Sequence, residues 1–456
     1  MLANIRKPID LLRGHPSTRL LATDLIRESA DKVLSSDLPQ DSCAQSRHPL
    51  HYGPDLGNED LRVEIGRWTA GRYGLKEAIP ASVRLMNALN PRERINITPG
   101  ASYGLMNTLL LCTSPVTGYT KQAFLLSPTY FLAASVFQDA GFSGKLTAIR
   151  LNKNTIDTDS LMAHLERISA STPDVPLPGG LEPISRAGVP KRIYKFVMYC
   201  VPTYSNPTGE TWDLETRRKV VEIARKWDML IISDDVYDFL GNDGDTSALT
   251  PDKKLMPRLV SLDHEIGEKQ GMGSNEAGYT VSNCSFSKLL GPGIRCGWIE
   301  SATGVLAKQM GEGGANHSGG APSQFASTLI HPLITSRSID SVISNLTKTY
   351  TARCADIVTA IKTYFPKETT IYGGKGGFFL WIILPGRYDA REITQLAAKD
   401  VTVLNGDESE CPGDKLGWGN HCIRVSVSYS EGDVAVEGIK RFAEAMKRWE
   451  DGERSS

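Results

Sequence analysis

The sequence predicts an α/β fold, with a mainly parallel sheet sandwiched by helices in a large domain and a smaller α+β domain after it. Three observations lead there. From residue 94 onward, short and continuously apolar runs alternate with longer amphipathic ones, the pattern of strands buried on both faces and covered by helices. Residues able to do chemistry gather just after those runs, where parallel sheets place their ligand-binding loops. Beyond Pro332 the alternation gives way to one long helical stretch and then to strand-like runs of different spacing.

Taken in order, the candidate strands are residues 94–98, 123–126, 146–149, 195–199, 229–232, 280–282 and 297–299, several of them too short and too apolar to lie on a surface. Helices are expected at Ala101–Cys112 and at 215–227, the second with Leu214, Val220, Val221 and Ala224 on one apolar face. Two segments read as loops or insertions: 172–192, rich in Pro and Gly, and 241–278, polar and glycine-rich with few apolar anchors. A helical stretch through Ile357 and Ile361 then leads to strand-like runs at 373–384 and 422–427. The expected division is an N-terminal segment, 1–50, that joins the small domain, a large domain, 51–330, and a small domain, 331–456.

Composition removes several function classes. A formal net charge of -1, with lysines and arginines scattered, offers no basic stripe for nucleic acid. No apolar run approaches the roughly 20 residues that span a bilayer, and the first ten residues lack the apolar core of a secretory signal. The expectation is a cytoplasmic protein. Eight cysteines show no CxxC pair and no metal-ligand spacing, so free buried thiols are expected and no metal.

The most informative stretch runs from Ser285 through Ser287, Lys288, Gly291 and Gly293 to Arg295. A lysine that attacks an aldehyde must be neutral, and burial or nearby positive charge lowers its pKa toward that state. Ser285, Ser287 and Arg295 suit an anion, Arg295 through its planar fork of donors. A reactive amine beside an anion seat describes a phosphorylated aldehyde, and suggests pyridoxal 5'-phosphate (PLP). On its own, such a glycine-rich turn after a strand is also an ordinary turn.

Four further fragments complete a site. Asp234, at the end of an apolar run, suits the ring nitrogen of a pyridine, and Tyr237, three residues on, the adjacent phenolic oxygen. Asn206, presented by the turn through Pro207 and Gly209, has a side-chain amide to donate to that same oxygen. Gly100, Ala101 and Ser102 join a strand to a helix start, whose free N–H groups make a phosphate seat. Tyr130 follows the next strand and offers a face on which a planar ring can stack.

Taken in this order, with the late Arg424, these residues resemble the fold-type I PLP-dependent enzymes and, within them, the class I/II aminotransferases. The resemblance extends from about Gly14 to the C-terminal region, and its style is closest to the 2-aminoadipate, kynurenine and aromatic aminotransferase branch. It implies that Lys288 carries PLP covalently and then moves the substrate Cα proton, that Arg424 grips the substrate α-carboxylate, and that Gly14 and Asn206 lie close to the substrate. It also implies a homodimer in which Tyr52 reaches the phosphate across the interface; packing within its own chain is the alternative for Tyr52.

The expected reaction moves an amino group between an aromatic or 2-aminoadipate-like L-amino acid and a 2-oxo acid. For the substrate side chain, Arg13, Arg19 and Arg47 are candidate carboxylate partners, and Tyr103, Tyr130, Tyr204 and Phe378 candidate pocket walls. The stretch 311–320 reads as a glycine-rich loop near the pocket or as a surface turn, with no catalytic part for His317. The alternative activities are a PLP-dependent lyase, decarboxylase or γ-replacement enzyme on the same scaffold. A PLP-binding regulator would need a DNA-binding domain, for which the resemblance leaves no room upstream. Two departures from the family pattern are the long interval from Asp234 to Lys288 and Ala101 at a place that is often polar.

Overall fold

The apolar runs become strands because nothing along them satisfies water: every residue of the runs ending in Thr98, Cys200, Asp234, Ser285 and Ser301 is buried, and each large aliphatic or aromatic side chain so buried contributes about 1.5–3 kcal/mol. The computed structural model describes residues 7–35, 48–74, 91–152, 155–176, 191–241, 255–273, 276–320, 323–412 and 415–452. Arg47 and Cys43 lie outside them, as do 177–190 and 242–254 of the two segments read as loops.

In chain order the strands are β1 (Ile9–Asp10), β2 (Ile95–Thr98), β3 (Gln122–Ser127), β4 (Leu146–Asn152), β5 (Thr155–Ile156), β6 (Phe196–Cys200), β7 (Met229–Asp234), β8 (Thr280–Ser285), β9 (Gly297–Ser301), β10 (Thr370–Gly373), β11 (Phe379–Ile383), β12 (Val401–Thr402), β13 (Leu404–Asn405) and β14 (Cys422–Ser426). The helices are α1 (Thr23–Leu34), α2 (Glu59–Tyr73), α3 (Ala101–Cys112), α4 (Phe131–Phe137), α5 (Thr158–Ser171), α6 (Leu214–Trp227), α7 (Leu259–Lys269), α8 (Gly304–Gly311), α9 (Gln324–Thr335), α10 (Ser338–Tyr364), α11 (Ala390–Ala397) and α12 (Gly432–Glu450).

An eight-stranded sheet, in the order β2-β9-β8-β7-β6-β3-β4-β5, forms the centre. Its β4, β3, β6, β7 and β8 run parallel, and β9 runs against both of its neighbours. The ends of β6, β7 and β8 therefore open on one edge of the sheet, which sets Asn206, Asp234 and Lys288 within reach of one another. A smaller antiparallel sheet, β10-β11-β14-β13, carries Arg424, and β1 pairs with β12 beside it.

Several expectations need correction. Leu214 is 37% exposed and is not part of the buried face of α6; the fully buried Arg217 takes that place. Its guanidinium is satisfied by the carbonyls of Trp212, Pro257 and Pro202 and the Thr203 hydroxyl. The segment 241–278 is no mere loop, since α7 within it buries Leu259, Val260 and Leu262. The stretch 311–320 is folded, with Asn316 buried and accepting from the Tyr103 hydroxyl at 3.2 Å, and His317 bonded to Asp55 at 2.7 Å. It does not line the cavity described below. The seven described cysteines are buried and free. No described helix is long and apolar enough to cross a membrane.

Candidate active site

A cavity of about 580 Å³ opens where the two sheets meet, and Gly14, Ala101, Ser102, Tyr130, Asn206, Asp234, Tyr237, Ser285, Ser287, Lys288, Arg295 and Arg424 all line it. Gly100 stands behind this wall at φ +105, so close to Arg295 that a Cβ there would lie 2.9 Å from its guanidinium. The positive φ is what requires glycine at that turn, since the exposed Arg295 side chain could give way. Tyr52 is not in the lining and is 78% exposed, with its ring against Gly319.

Lys288 ends a single turn of 3-10 helix that follows β8. Its Nζ donates to the Gly14 carbonyl at 2.7 Å and lies 5.7 Å and 5.4 Å from the ring centres of Tyr237 and Phe378. Burial lowers its pKa to about 8, Arg424 adds to the depression, and the charge of Asp234 opposes it. Desolvation wins because the ammonium sits among aromatic walls.

Asp234, the last residue of β7, accepts from the Tyr199 hydroxyl at 2.8 Å and from the Asn283 side chain at 3.2 Å. Burial raises its carboxyl to about 6, against those bonds and the charge of Lys288. Tyr237 is buried beside Asn206, and burial raises its phenol. Across the cavity, Arg424 donates to Asn206 Oδ1 and to the Leu12 carbonyl, each at 2.8 Å, and its guanidinium lies 3.9 Å from the centre of the Phe379 ring. Its pKa is lowered to about 10 by burial, so it stays charged at neutral pH. Arg424 Nε is buried and bonds to nothing among the described residues.

At the anion end, Ser285 Oγ donates to Ser287 Oγ at 2.9 Å, and the Ser287 amide donates back to Ser285 at 3.1 Å. Arg295 is exposed and donates to the carbonyls of Pro292 and Pro99 at 3.0 Å and 2.7 Å. These groups adjoin the start of α3, whose first N–H groups are free as at any helix start.

Of the side-chain candidates, Arg13 lines the cavity but is paired with Asp10 at 3.0 Å and bonded to the Tyr429 hydroxyl at 3.1 Å. Arg19, Tyr103, Tyr204 and Phe378 are not in the lining. Tyr204 packs instead on Gly241 and Gly376, and Phe378 is fully buried, leaving its neighbour Phe379 to face the cavity. Sequence reasoning missed Tyr199, Asn283 and Phe379. A signal existed for Asn283, because an amide inside a fully buried strand must find partners.

The donor set fits PLP. A buried amine of lowered pKa lies between an acid suited to a pyridine nitrogen and a cluster of hydroxyls, arginine and helix N–H groups suited to a phosphate, under a tyrosine. A fold and a site of this kind define an enzyme that works on amino groups through a pyridoxal cofactor. The chain belongs to the aminotransferase class I and II family, whose pattern matches residues 69–439, and it is a transaminase. It is 40% identical, over 97% of both chains, to an uncharacterized protein of Saccharomyces cerevisiae. It is 22% identical to the aromatic-amino-acid aminotransferase 1 of Thermococcus litoralis, over 96% of this chain and 88% of that one. The α-aminoadipate aminotransferase of Thermus thermophilus, crystallised with N-(5'-phosphopyridoxyl)-L-leucine, has the same fold, with a TM-score of 0.69 at 19% identity over 96% of this chain and 92% of that one.

Proposed function

We propose that the protein transfers the amino group of an aromatic L-amino acid to a 2-oxo acid, with PLP as its cofactor. The observation that carries the reading is the single cavity in which Lys288, Asp234 and Arg424 meet beside apolar walls from Leu12, Tyr130 and Phe379. PLP, when bound, supplies an electron sink for the bond broken at the substrate Cα.

Lys288 would hold the cofactor covalently and would serve as the base that moves the substrate Cα proton. Its pKa near 8 suits both directions of that transfer. Asp234 would keep the ring nitrogen protonated, while Asn206 and Tyr237 would hold the phenolic oxygen. Ala101, Ser102, Ser285, Ser287 and Arg295, with the turn at Gly100, seat the phosphate. Arg424 takes the substrate carboxylate with the donors that Asn206 and Leu12 leave free, close to Gly14, and this two-point binding aligns the Cα–H bond. The enzyme works as a homodimer in the cytoplasm, with Tyr52 reaching the partner's phosphate seat.

A second reading, a 2-aminoadipate-like donor, draws on Arg13, a further cation in the cavity lining. It costs the Arg13–Asp10 pair, which favours the aromatic donor. Purified protein with L-tyrosine, L-phenylalanine or L-2-aminoadipate and 2-oxoglutarate should form glutamate, fastest with the aromatic donors. Borohydride should trap the cofactor on the peptide containing Lys288. Release of CO2 or of a side-chain group without glutamate would overturn transamination, and faster turnover of 2-aminoadipate would select the second reading.

A further inference from the structure

Asn283 occupies the middle of β8, 1% exposed, in a strand where every residue is buried. Its Oδ1 bonds to nothing among the described residues, so the amide is held by its amino end alone. Its Nδ2 donates to the Ala101 carbonyl at 2.9 Å and to Asp234 Oδ1 at 3.2 Å. Both neighbours are acceptors, so the amino end of the amide must face them. The register supports the contact, because Asp234 and Asn283 are paired across β7 and β8, and the Asp235 amide donates to the Asn283 carbonyl at 2.9 Å.

The two partners belong to opposite ends of the cofactor site. Ala101 opens α3, the helix whose start adjoins Arg295, Ser285 and Ser287. Asp234 is the acid at the ring end. One amide group therefore bridges the phosphate seat and the ring acid. The helix is shaped to admit it, since a Cβ on Gly104 would fall 2.5 Å from Asn283 Oδ1. Tyr199 holds the other oxygen of Asp234, so each carboxylate oxygen has one donor and a free lone pair for a third group.

We propose that Asn283 is a positioning residue, which orients the Asp234 carboxylate toward the cofactor ring and fixes its distance from the phosphate seat at the start of α3. The inference rests on the reading of Asp234 as the partner of the ring nitrogen. Losing the amide leaves Asp234 free to turn about its side-chain bond, with only Tyr199 to hold it. The ring then loses part of the contact that keeps its nitrogen protonated.

The test uses the protein freed of PLP and then reloaded, with Asn283→Leu, Asn283→Ala and, as a reference, Asp234→Asn. Three quantities are read: the PLP dissociation constant of the cofactor-free protein, the pH midpoint of the visible absorbance of the loaded protein, and the thermal midpoint. Both Asn283 variants should bind PLP roughly 10- to 100-fold more weakly, the range of one lost hydrogen bond to a charged group, and should shift the absorbance midpoint in the same direction as Asp234→Asn. Unchanged affinity and absorbance midpoint, with or without a fall in thermal midpoint, would mean a packing role only and would overturn the proposal. Should Asn283→Leu fail to fold, Asn283→Ala, which removes the amide without adding bulk or charge, decides on the same readouts. If Asp234→Asn leaves both cofactor readouts unmoved, the reading of Asp234 itself falls, a result distinct from a failure at Asn283 alone.

Discussion

Lys288 has its amine between a carbonyl, two aromatic rings and a carboxylate, and burial outweighs the carboxylate. Since its pKa falls from 10.5 to about 8, about one molecule in ten carries the neutral amine at pH 7, and each pH unit below 8 costs a further tenfold. Capture of PLP by the cofactor-free protein should therefore accelerate about tenfold per pH unit up to roughly pH 8 and level off above it, as read by stopped-flow absorbance. A flat profile between pH 6 and 8 would contradict the lowered pKa. Linkage gives a second consequence of the same sign. Between about pH 8 and 10.5 the unfolded chain holds the proton that the folded chain has lost, so this residue's contribution makes the cofactor-free fold more stable as pH rises through that window. The flanks of Lys288 suggested a reactive amine but read equally as an ordinary turn, and it took the acid, the asparagine turn and the helix start elsewhere in the chain to favour the first. Tyr199 and Asn283 were not legible. A tyrosine and an asparagine inside apolar runs read as core, and only the register of β6, β7 and β8 gives them Asp234 as a partner.

At the scale of elements, the strands and α3 were legible because continuous apolarity and a glycine turn leave few alternatives, whereas α7 was hidden. Its apolar residues Leu259, Val260 and Leu262 are few and sit in a long polar stretch, and what anchors it is a charge. Arg258, fully buried just ahead of the helix, donates to Glu300 and, at 3.0 Å, to the Ser282 hydroxyl, with its guanidinium 4.4 Å from the centre of the Tyr73 ring. It thus ties α7 to β8, β9 and α2. Charge buried this deeply is not foreseeable from local pattern, which treats arginine as surface. Replacing Arg258 with Met leaves Glu300 buried with only Arg94, 3.2 Å away, and should cost about 3–5 kcal/mol of unfolding free energy in urea. The double variant Arg258→Met, Glu300→Gln removes the stranded charge and should recover part of that loss. Equal losses in the single and double variants would show that the pair is not what anchors α7.

At the scale of the molecule, the cavity exists because three separate parts of the chain are locked at one side chain. Arg424 comes from β14 of the small sheet, Asn206 from the loop after β6 of the large sheet, and Leu12 from the segment after β1. The approach of the two sheets is close. Gly209, at φ +70, packs against Gly373, and a Cβ on it would lie 2.6 Å from the Phe379 carbonyl and 2.7 Å from Gly373 Cα. The sequence offered Asn206 through its turn and Arg424 through resemblance, but had no means to show that they touch, since 218 positions separate them. Lysine in place of Arg424 keeps the charge but lacks the planar fork, and one ammonium cannot serve Asn206, Leu12 and a substrate carboxylate with the same geometry. Arg424→Lys should therefore lower kcat/KM about 10- to 100-fold, the range of a lost charge-assisted pair of bonds. Because the same carboxylate is present in donor and acceptor, the loss should fall on the amino acid and the 2-oxo acid alike. PLP affinity should fall less than kcat/KM, because Arg424 touches none of the phosphate-seat groups and reaches the ring end only through Asn206. Steady-state kinetics with both substrates varied, beside a PLP titration, separates the outcomes: a loss confined to one substrate, or a protein that no longer holds PLP, would show that Arg424 serves the fold or the cofactor rather than the carboxylate shared by every substrate.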